Sequence, residues 1–263
     1  ALDKILFHPA ILRGQITPDL ETNFLGQRYG LPFGIAPVGM SGLIWPNAEA
    51  ILATAANQAR IPYGLSTVAT RIPEEIGPFT GRYGWFQLYP AKDLEIRRDI
   101  CDRARRAGFR TLVVTVDVPA SSRRERQLRA GLTIPPRLTW SKLVEIAKHP
   151  TWALETLRTG IPRVRMAEGY LKDKRKRAQR GHAGYMIRGA PDGTELEQIR
   201  DEGHGNLIVK GVMDPADAAA LMQVGVDALW VSNHSGRQFD GNPASIDVLP
   251  RIRAAVPNAP IIF

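Results

Sequence analysis

Cysteine is almost missing from these 263 residues: Cys101 stands alone. No internal disulfide framework can form and no thiolate pair can hold a metal, so a cytoplasmic compartment is expected. Its neighbours Ile96, Ile100 and Ala104 recur at helical spacing, which makes the thiol a half-buried packing group. No run approaches the ~20 apolar residues that span a bilayer, and the first residues lack the charged-then-apolar layout of a secretory leader. His8, His149, His182 and His204 have no companions at metal-ligand spacing, so no metal is assigned. Also absent is a GxGxxG that follows a strand and opens a helix, which argues against a nicotinamide-type dinucleotide fold.

Acidic charge is scarce in one region only. The formal net charge is +9, yet the stretch from Pro119 to Arg180 carries 16 Lys+Arg against 5 Asp+Glu. That excess is larger than the total, so the rest of the chain is close to neutral. A nucleic-acid surface would interleave aromatics with its cations, and Lys172 to Arg180 contains none. Nucleic acid is therefore not an expected partner.

Short apolar runs rich in β-branched residues alternate with segments of helical period. They are Leu31 to Ala36, Ile61 to Ser66, Gly84 to Tyr89, Thr111 to Val116, Leu207 to Val212, Ala228 to Ser232 and a last one from about Pro260. Each is apolar on both faces, as a buried parallel sheet requires. Ala48 to Ala59 reads as a helix through Ile51, Leu52, Ala55 and Ala56. Asp93 to Ala107 reads likewise, with Gly108 as its stop. Asp214 is an N-cap, Pro215 the first helical residue, Ala218, Leu221 and Met222 an apolar stripe, and Gly225 the exit. Repeated βα units of this length predict an α/β fold of (β/α)8 TIM-barrel type rather than an open doubly wound sheet.

The expected organisation is one domain over 1–263, with a basic insert at about 119–193 after the fourth strand. An insert there overlies the active-site face of a barrel. The seventh strand coincides with the end of the chain, so an incomplete barrel is expected, with its C-terminal strands lying outside this sequence.

Polar residues at strand C-terminal ends converge on one pocket in such a fold. Here they are Ser66, Gln87, Tyr89, Thr115, Asp117, Lys210, His234 and Arg237. A hydroxy acid needs a cation for its carboxylate, a base for its proton and an acceptor for two electrons. His234 can be the base, because an imidazole titrates near neutrality. Arg237 can grip a carboxylate bidentately. No side chain accepts a hydride, so a redox reading demands a cofactor.

Ser232 to Gln238, with the sequence Ser-Asn-His-Ser-Gly-Arg-Gln, resembles the active-site signature of the FMN-dependent 2-hydroxy-acid dehydrogenase and oxidase family. The likeness continues through Ile35 to Pro37, Leu65 to Thr67, Trp85 to Tyr89, Thr115 to Asp117, Arg123 to Glu125 and Val209 to Gly211, seven motifs in order. The resemblance implies FMN as cofactor and oxidation of an L-2-hydroxy acid to the 2-oxo acid. It makes His234 the base and Asp117 the carboxylate that orients it. Arg237, Arg124 and Tyr89 become substrate-binding residues. Ser66, Gln87 and Thr115 become flavin-ring contacts, the Pro37, Val38 and Gly39 backbone lies beside the reactive nitrogen, and Lys210 stabilises negative charge on the reduced ring. The resemblance places the family's phosphate-binding segments beyond Phe263, and an N-terminal helix with a substrate-binding tyrosine before Ala1.

Gly39 tilts the reading toward dehydrogenases, with a quinone or other carrier as electron acceptor; an oxygen-using oxidase is the alternative, and an inactive barrel that only binds ligands is a further one. His149-Pro150 with Trp152, followed by Gly160 and Pro162, is similar to the insert of membrane-associated bacterial members. That similarity implies peripheral contact of the basic insert with anionic lipid at the inner face of the cytoplasmic membrane. A homo-oligomer is the expected full-length state.

Overall fold

The computed structural model describes residues 2–119, 129, 139–171, 191–203, 205–239 and 241–263. Its centre is a six-stranded, all-parallel sheet: β3 (Tyr63–Ser66), β4 (Gly84–Leu88), β5 (Thr111–Thr115), β6 (Asn206–Val212), β7 (Ala228–Val231) and β8 (Ile261–Ile262). The strands pair in chain order, β3-β4-β5-β6-β7-β8. A doubly wound sheet reverses its order at a switch point, whereas unbroken sequential pairing belongs to a (β/α)8 barrel. The run at Leu31 to Ala36 occupies the first barrel position but makes only a single parallel bridge, Ile35 to Tyr63. Pro32 lies within the run and Pro37 follows it, and a proline cannot donate to a ladder.

Between the strands lie α1 (Ala48–Ala59), α2 (Pro73–Thr80), α3 (Leu94–Arg106), α7 (Gly193–Asp201), α8 (Pro215–Gln223) and α9 (Ser245–Ala255). Their ends follow capping chemistry. Asp93 accepts from the amides of Glu95 and Ile96 to start α3, and Asp214 accepts from those of Ala216 and Asp217 to start α8. The buried face of α1 overlaps the expected one in part, since Ala56 is buried and Leu52 packs against the core. Glu49, Ala50, Ala53 and Ala56 point inward, while Ile51 and Ala55 are exposed. Small side chains let α1 lie close against its neighbours, and the larger Ile51 is left outside. Cys101 is fully rather than half buried, packed with Ile96, Ile100 and Ala104, and desolvation pushes its thiol up to about 12.

Strand residues alternate between two environments, as period-two geometry dictates. Leu65, Phe86, Leu88, Leu112, Val114, Val209 and Leu229 face outward and pack with the helices. Trp85, Val113, Ile208 and Ala228 belong to a separate inner cluster. A short antiparallel hairpin, β1 (Thr22–Phe24) with β2 (Gln27–Tyr29), joins that inner cluster from outside the sheet. Leu25 and Gly26 turn it with positive φ at both positions, as a two-residue hairpin requires. Trp85 Nε1 donates to the Tyr29 hydroxyl at 3.1 Å, and its ring meets Tyr29 and Trp230 edge-on.

The described part of the insert forms α4 (Trp140–Ala147), α5 (Pro150–Thr159) and α6 (Arg165–Leu171). Met166 and Ala167 are buried on the outer core, and Trp152 Nε1 donates to the Leu43 carbonyl at 3.2 Å. Most of α4 and α5 is exposed. Among the described residues, no helix is long and apolar enough to cross a membrane.

Candidate active site

One step further along the strands, the inner face of the barrel changes from apolar to polar. Ser66, Gln87, Thr115 and Lys210 follow Gly64, Trp85, Val113 and Ile208 by two residues on β3, β4, β5 and β6, and all four are almost excluded from solvent. The first three form a connected row, and Lys210 is tied to the far side of the site. The Ser66 hydroxyl donates to Gln87 Oε1 at 2.8 Å, and Gln87 Nε2 donates to Thr115 Oγ1 at 2.9 Å. Lys210 Nζ donates to Ser232 Oγ at 2.8 Å and stands 4.0 Å from Asp117 Oδ2. Its ammonium also lies 5.6 Å from the centre of the Trp230 ring. Burial holds the Lys210 pKa below the ordinary lysine value, opposed by the nearby Asp117 carboxylate.

His234 follows β7 in a tight turn, His234–Gly236, that is held from several sides. Ser232 Oγ accepts from the His234 amide at 3.1 Å, Asn233 Oδ1 accepts from the Gly236 amide at 3.1 Å, and Asn233 Nδ2 donates to the Pro243 carbonyl at 3.0 Å. His234 and Ser235 both have positive φ, 55° and 57°. Two successive non-glycine residues in that region are strained, and the surrounding hydrogen bonds maintain them. The product is a half-buried imidazole aimed across the barrel mouth.

His234 Nδ1 lies 2.9 Å from Asp117 Oδ1. A carboxylate only accepts, so Nδ1 carries the proton and Nε2 is left as the acceptor, 3.5 Å from the Tyr89 hydroxyl. Asp117 owes its place to a bulge in β6, where pairing with β7 shifts register between Lys210 and Val212. Gly211, at φ 112°, forms that bulge, and a Cβ there would fall 2.6 Å from Asp117 Cβ. Only glycine allows this approach. Asp117 Oδ2 is buried with no hydrogen-bond partner.

The structure thus brings together His234, Asp117, Tyr89, Lys210, Ser66, Gln87 and Thr115. The Arg237 side chain is exposed next to the His234 turn, and none of the ion pairs among the described residues involves it. Pro37, Val38 and Gly39 line the rim after the first strand position, where Met40 N–H donates to the Val68 carbonyl at 2.9 Å. Arg124 lies outside the described residues, as do Lys172 to Arg180. Sequence reasoning passed over Thr67, whose hydroxyl donates to the Gln87 carbonyl and accepts from the Tyr89 amide. It also passed over Trp230 beneath Lys210. Thr67 lay inside a recognised motif, which was the available signal.

A parallel α/β barrel with a histidine–carboxylate pair and a buried cation at its strand ends has the layout of a cofactor-binding barrel enzyme. The chain belongs to the FMN-dependent dehydrogenase family, whose model matches residues 1–263. It is 35% identical over 257 residues to an L-lactate dehydrogenase of Xanthobacter autotrophicus, covering 97% of this chain and 66% of that protein. It is 34% identical over 257 residues to an L-lactate dehydrogenase of Vibrio parahaemolyticus, with 97% and 68% covered. Among solved structures, a monotopic membrane protein, (S)-mandelate dehydrogenase, superposes with a TM-score of 0.81 at 29% identity, over 92% of this chain and 64% of that one. A mandelate oxidase crystallised with (S)-2-phenylpropionate gives 0.75 at 28% identity, over 99% and 65%. The chain therefore spans about two thirds of the length of these relatives.

The residues present fit FMN on their own chemistry. A flavin ring needs donors and acceptors along one edge and an apolar bed. The Ser66–Gln87–Thr115 row, the Lys210 ammonium and the Pro37–Val38 rim supply both kinds of surface. Buried polar groups of this density, one of them a desolvated cation, are costly in an apolar barrel interior and are explained by a polar ligand.

Proposed function

We infer that the protein oxidises an L-2-hydroxy acid to the 2-oxo acid, and that His234, Asp117 and the polar row are the parts of the site this chain contributes. The observation that carries the reading is the 2.9 Å Asp117–His234 pair beside the buried Lys210. FMN, when bound, supplies the two-electron acceptor that side chains lack. His234 Nε2 takes the substrate proton released on oxidation. Asp117 Oδ1 holds the Nδ1–H tautomer and stabilises the imidazolium that results. Tyr89 directs its hydroxyl toward Nε2, where the substrate oxygen enters, and Arg237 with Arg124 holds the carboxylate. Lys210 is placed to stabilise negative charge at the polar edge of the cofactor.

The electron acceptor is a quinone or other carrier rather than oxygen. Gly39 supports this through the resemblance, which tilts toward dehydrogenases at this residue; a Cβ there would fall 2.6 Å from Val68 Cγ2, so the rim as built takes a glycine. The test is anaerobic mixing of the whole flavoprotein with L-lactate, L-mandelate and glycolate, followed by air or a soluble quinone. Bleaching of oxidised-flavin absorbance by an L-2-hydroxy acid, reversed quickly by quinone and slowly by air, is expected. No bleaching refutes the substrate class, and fast reoxidation by air alone refutes the acceptor.

A peripheral membrane contact is supported by a separate observation. Trp140, Val144, Leu154 and Leu157 are exposed on α4 and α5, Trp140 at 85% and Leu157 at 82%, beside Lys142, Lys148 and Arg158. Apolar side chains among cations suit an anionic bilayer surface. Co-sedimentation with anionic but not neutral vesicles, lost in Trp140→Ser/Leu157→Ser, is the expected result. Equal recovery with both vesicle types contradicts it.

A further inference from the structure

Glu49 is a carboxylic acid with no solvent exposure, on the first turn of α1, outside every motif discussed so far. It takes part in none of the ion pairs among the described residues. Its Oε1 accepts two hydrogen bonds from one residue, the Thr70 amide and the Thr70 hydroxyl, both at 2.8 Å. Its Oε2 is buried without a partner. A buried carboxylate is retained where its hydrogen bonds hold something in place, and a position on the first turn of a helix lowers the cost of its charge.

Thr70 closes the segment that turns at Ser66, and that segment meets two parts of the cofactor-facing surface, the Gly39 rim and the Gln87 end of β4. Ser66 donates to Gln87 Oε1. Thr67 is bonded to the Gln87 carbonyl and the Tyr89 amide. The Val68 carbonyl accepts from Met40, and the Val68 side chain packs under Gly39. The start of the turn is fixed by β3 and by Gln87. Its end is fixed by Glu49.

We propose that Glu49 is a positioning residue for the flavin site: by clamping Thr70 it sets the Ser66–Thr70 turn, and through it the spacing between the Gly39 rim and the Ser66–Gln87 row. The proposal rests on reading that row as flavin-facing. The role requires an acceptor oxygen and not a negative charge, because both donors converge on one atom.

The test uses apoprotein of the whole enzyme, titrated with FMN and followed by flavin fluorescence, with thermal melting of each variant. Glu49→Ala is expected to weaken FMN binding about tenfold, Thr70→Val about threefold, and Glu49→Gln less than twofold. The Glu49→Ala/Thr70→Val double variant is expected to be no worse than Glu49→Ala, since both remove one clamp. If Glu49→Ala does not fold, Thr70→Val and Glu49→Gln decide the matter. Unchanged FMN affinity in Thr70→Val with a normal melt overturns the proposal, as does Glu49→Gln behaving as badly as Glu49→Ala. Wild-type apoprotein that takes up no FMN overturns the reading beneath it instead, so the two failures are distinct.

Discussion

Residues two apart on the same strands belong to opposite kinds of environment. Trp85, Val113 and Ile208 form a dry cluster toward the strand beginnings; roughly 7 Å further on, Gln87 and Thr115 are hydrogen-bonded to each other and Lys210 is bonded to Ser232, which makes a polar row. Nothing about the sheet changes between them. What differs is what closes each end: the β1–β2 hairpin seals the first with Tyr29 and Phe24, whereas loops carrying Asp117 and His234 surround the second. The barrel's stability and its chemistry are thereby set at different levels along the strands, and changing one end is expected to have little effect on the other.

The largest expected effect is at the polar end. His234→Ala should slow flavin reduction by an L-2-hydroxy acid on the order of 10⁴-fold, while the bound-flavin spectrum and the melting temperature stay near wild type. Stopped-flow absorbance checks this, and retained turnover removes His234 as the base. Trp85→Ala attacks the other end. It removes a ring packed against Tyr29 and Trp230 and leaves a cavity, so a loss of about 3–5 kcal/mol is expected in urea unfolding. Flavin reduction in the surviving folded protein should be unchanged. A large kinetic defect in Trp85→Ala would break the division between the ends.

The smallest effect concerns pH. Lys210 has a depressed pKa, mainly from desolvation, so between that value and the ordinary lysine value the unfolded chain binds more protons than the folded one. Stability from this group therefore rises with pH across that window. Wild-type apoprotein should gain on Lys210→Met as pH increases toward the alkaline side, measured as the difference between their melting temperatures. A difference that widens the other way would show that the ammonium is not the penalised form.

Much of this division was legible in the sequence. The strand runs from Ile61 to Ser232 were found within two residues, because parallel strands buried on both faces leave long apolar signals. The polar residues at their ends were collected from the same register. The hairpin at Thr22–Tyr29 was not found, since strands of three residues give too few alternations to register a period. Leu31 to Ala36 looked like a strand and forms one bridge, because hydrophobicity does not report the missing amides of Pro32 and Pro37. The inward face of α1 was read half correctly: Leu52 and Ala56 meet the core, while Ile51 and Ala55 lie outside because residue size, rather than hydrophobicity, decided it. Glu49 escaped notice for a related reason. Its partner is 21 residues away, and only the packing of α1 beside the Ser66–Thr70 turn joins them.

The separation of the two ends is tested most directly by measuring melting temperature without FMN and FMN affinity together on two variants of the whole protein, Gln87→Leu and Ile208→Ala. Gln87→Leu is expected to weaken FMN binding about tenfold, roughly 1.4 kcal/mol, with a small change in melting. Ile208→Ala is expected to cost about 2–5 kcal/mol of stability with FMN affinity preserved in the folded fraction. If Gln87→Leu binds FMN normally while Ile208→Ala does not, the polar row is not the flavin site and the account fails.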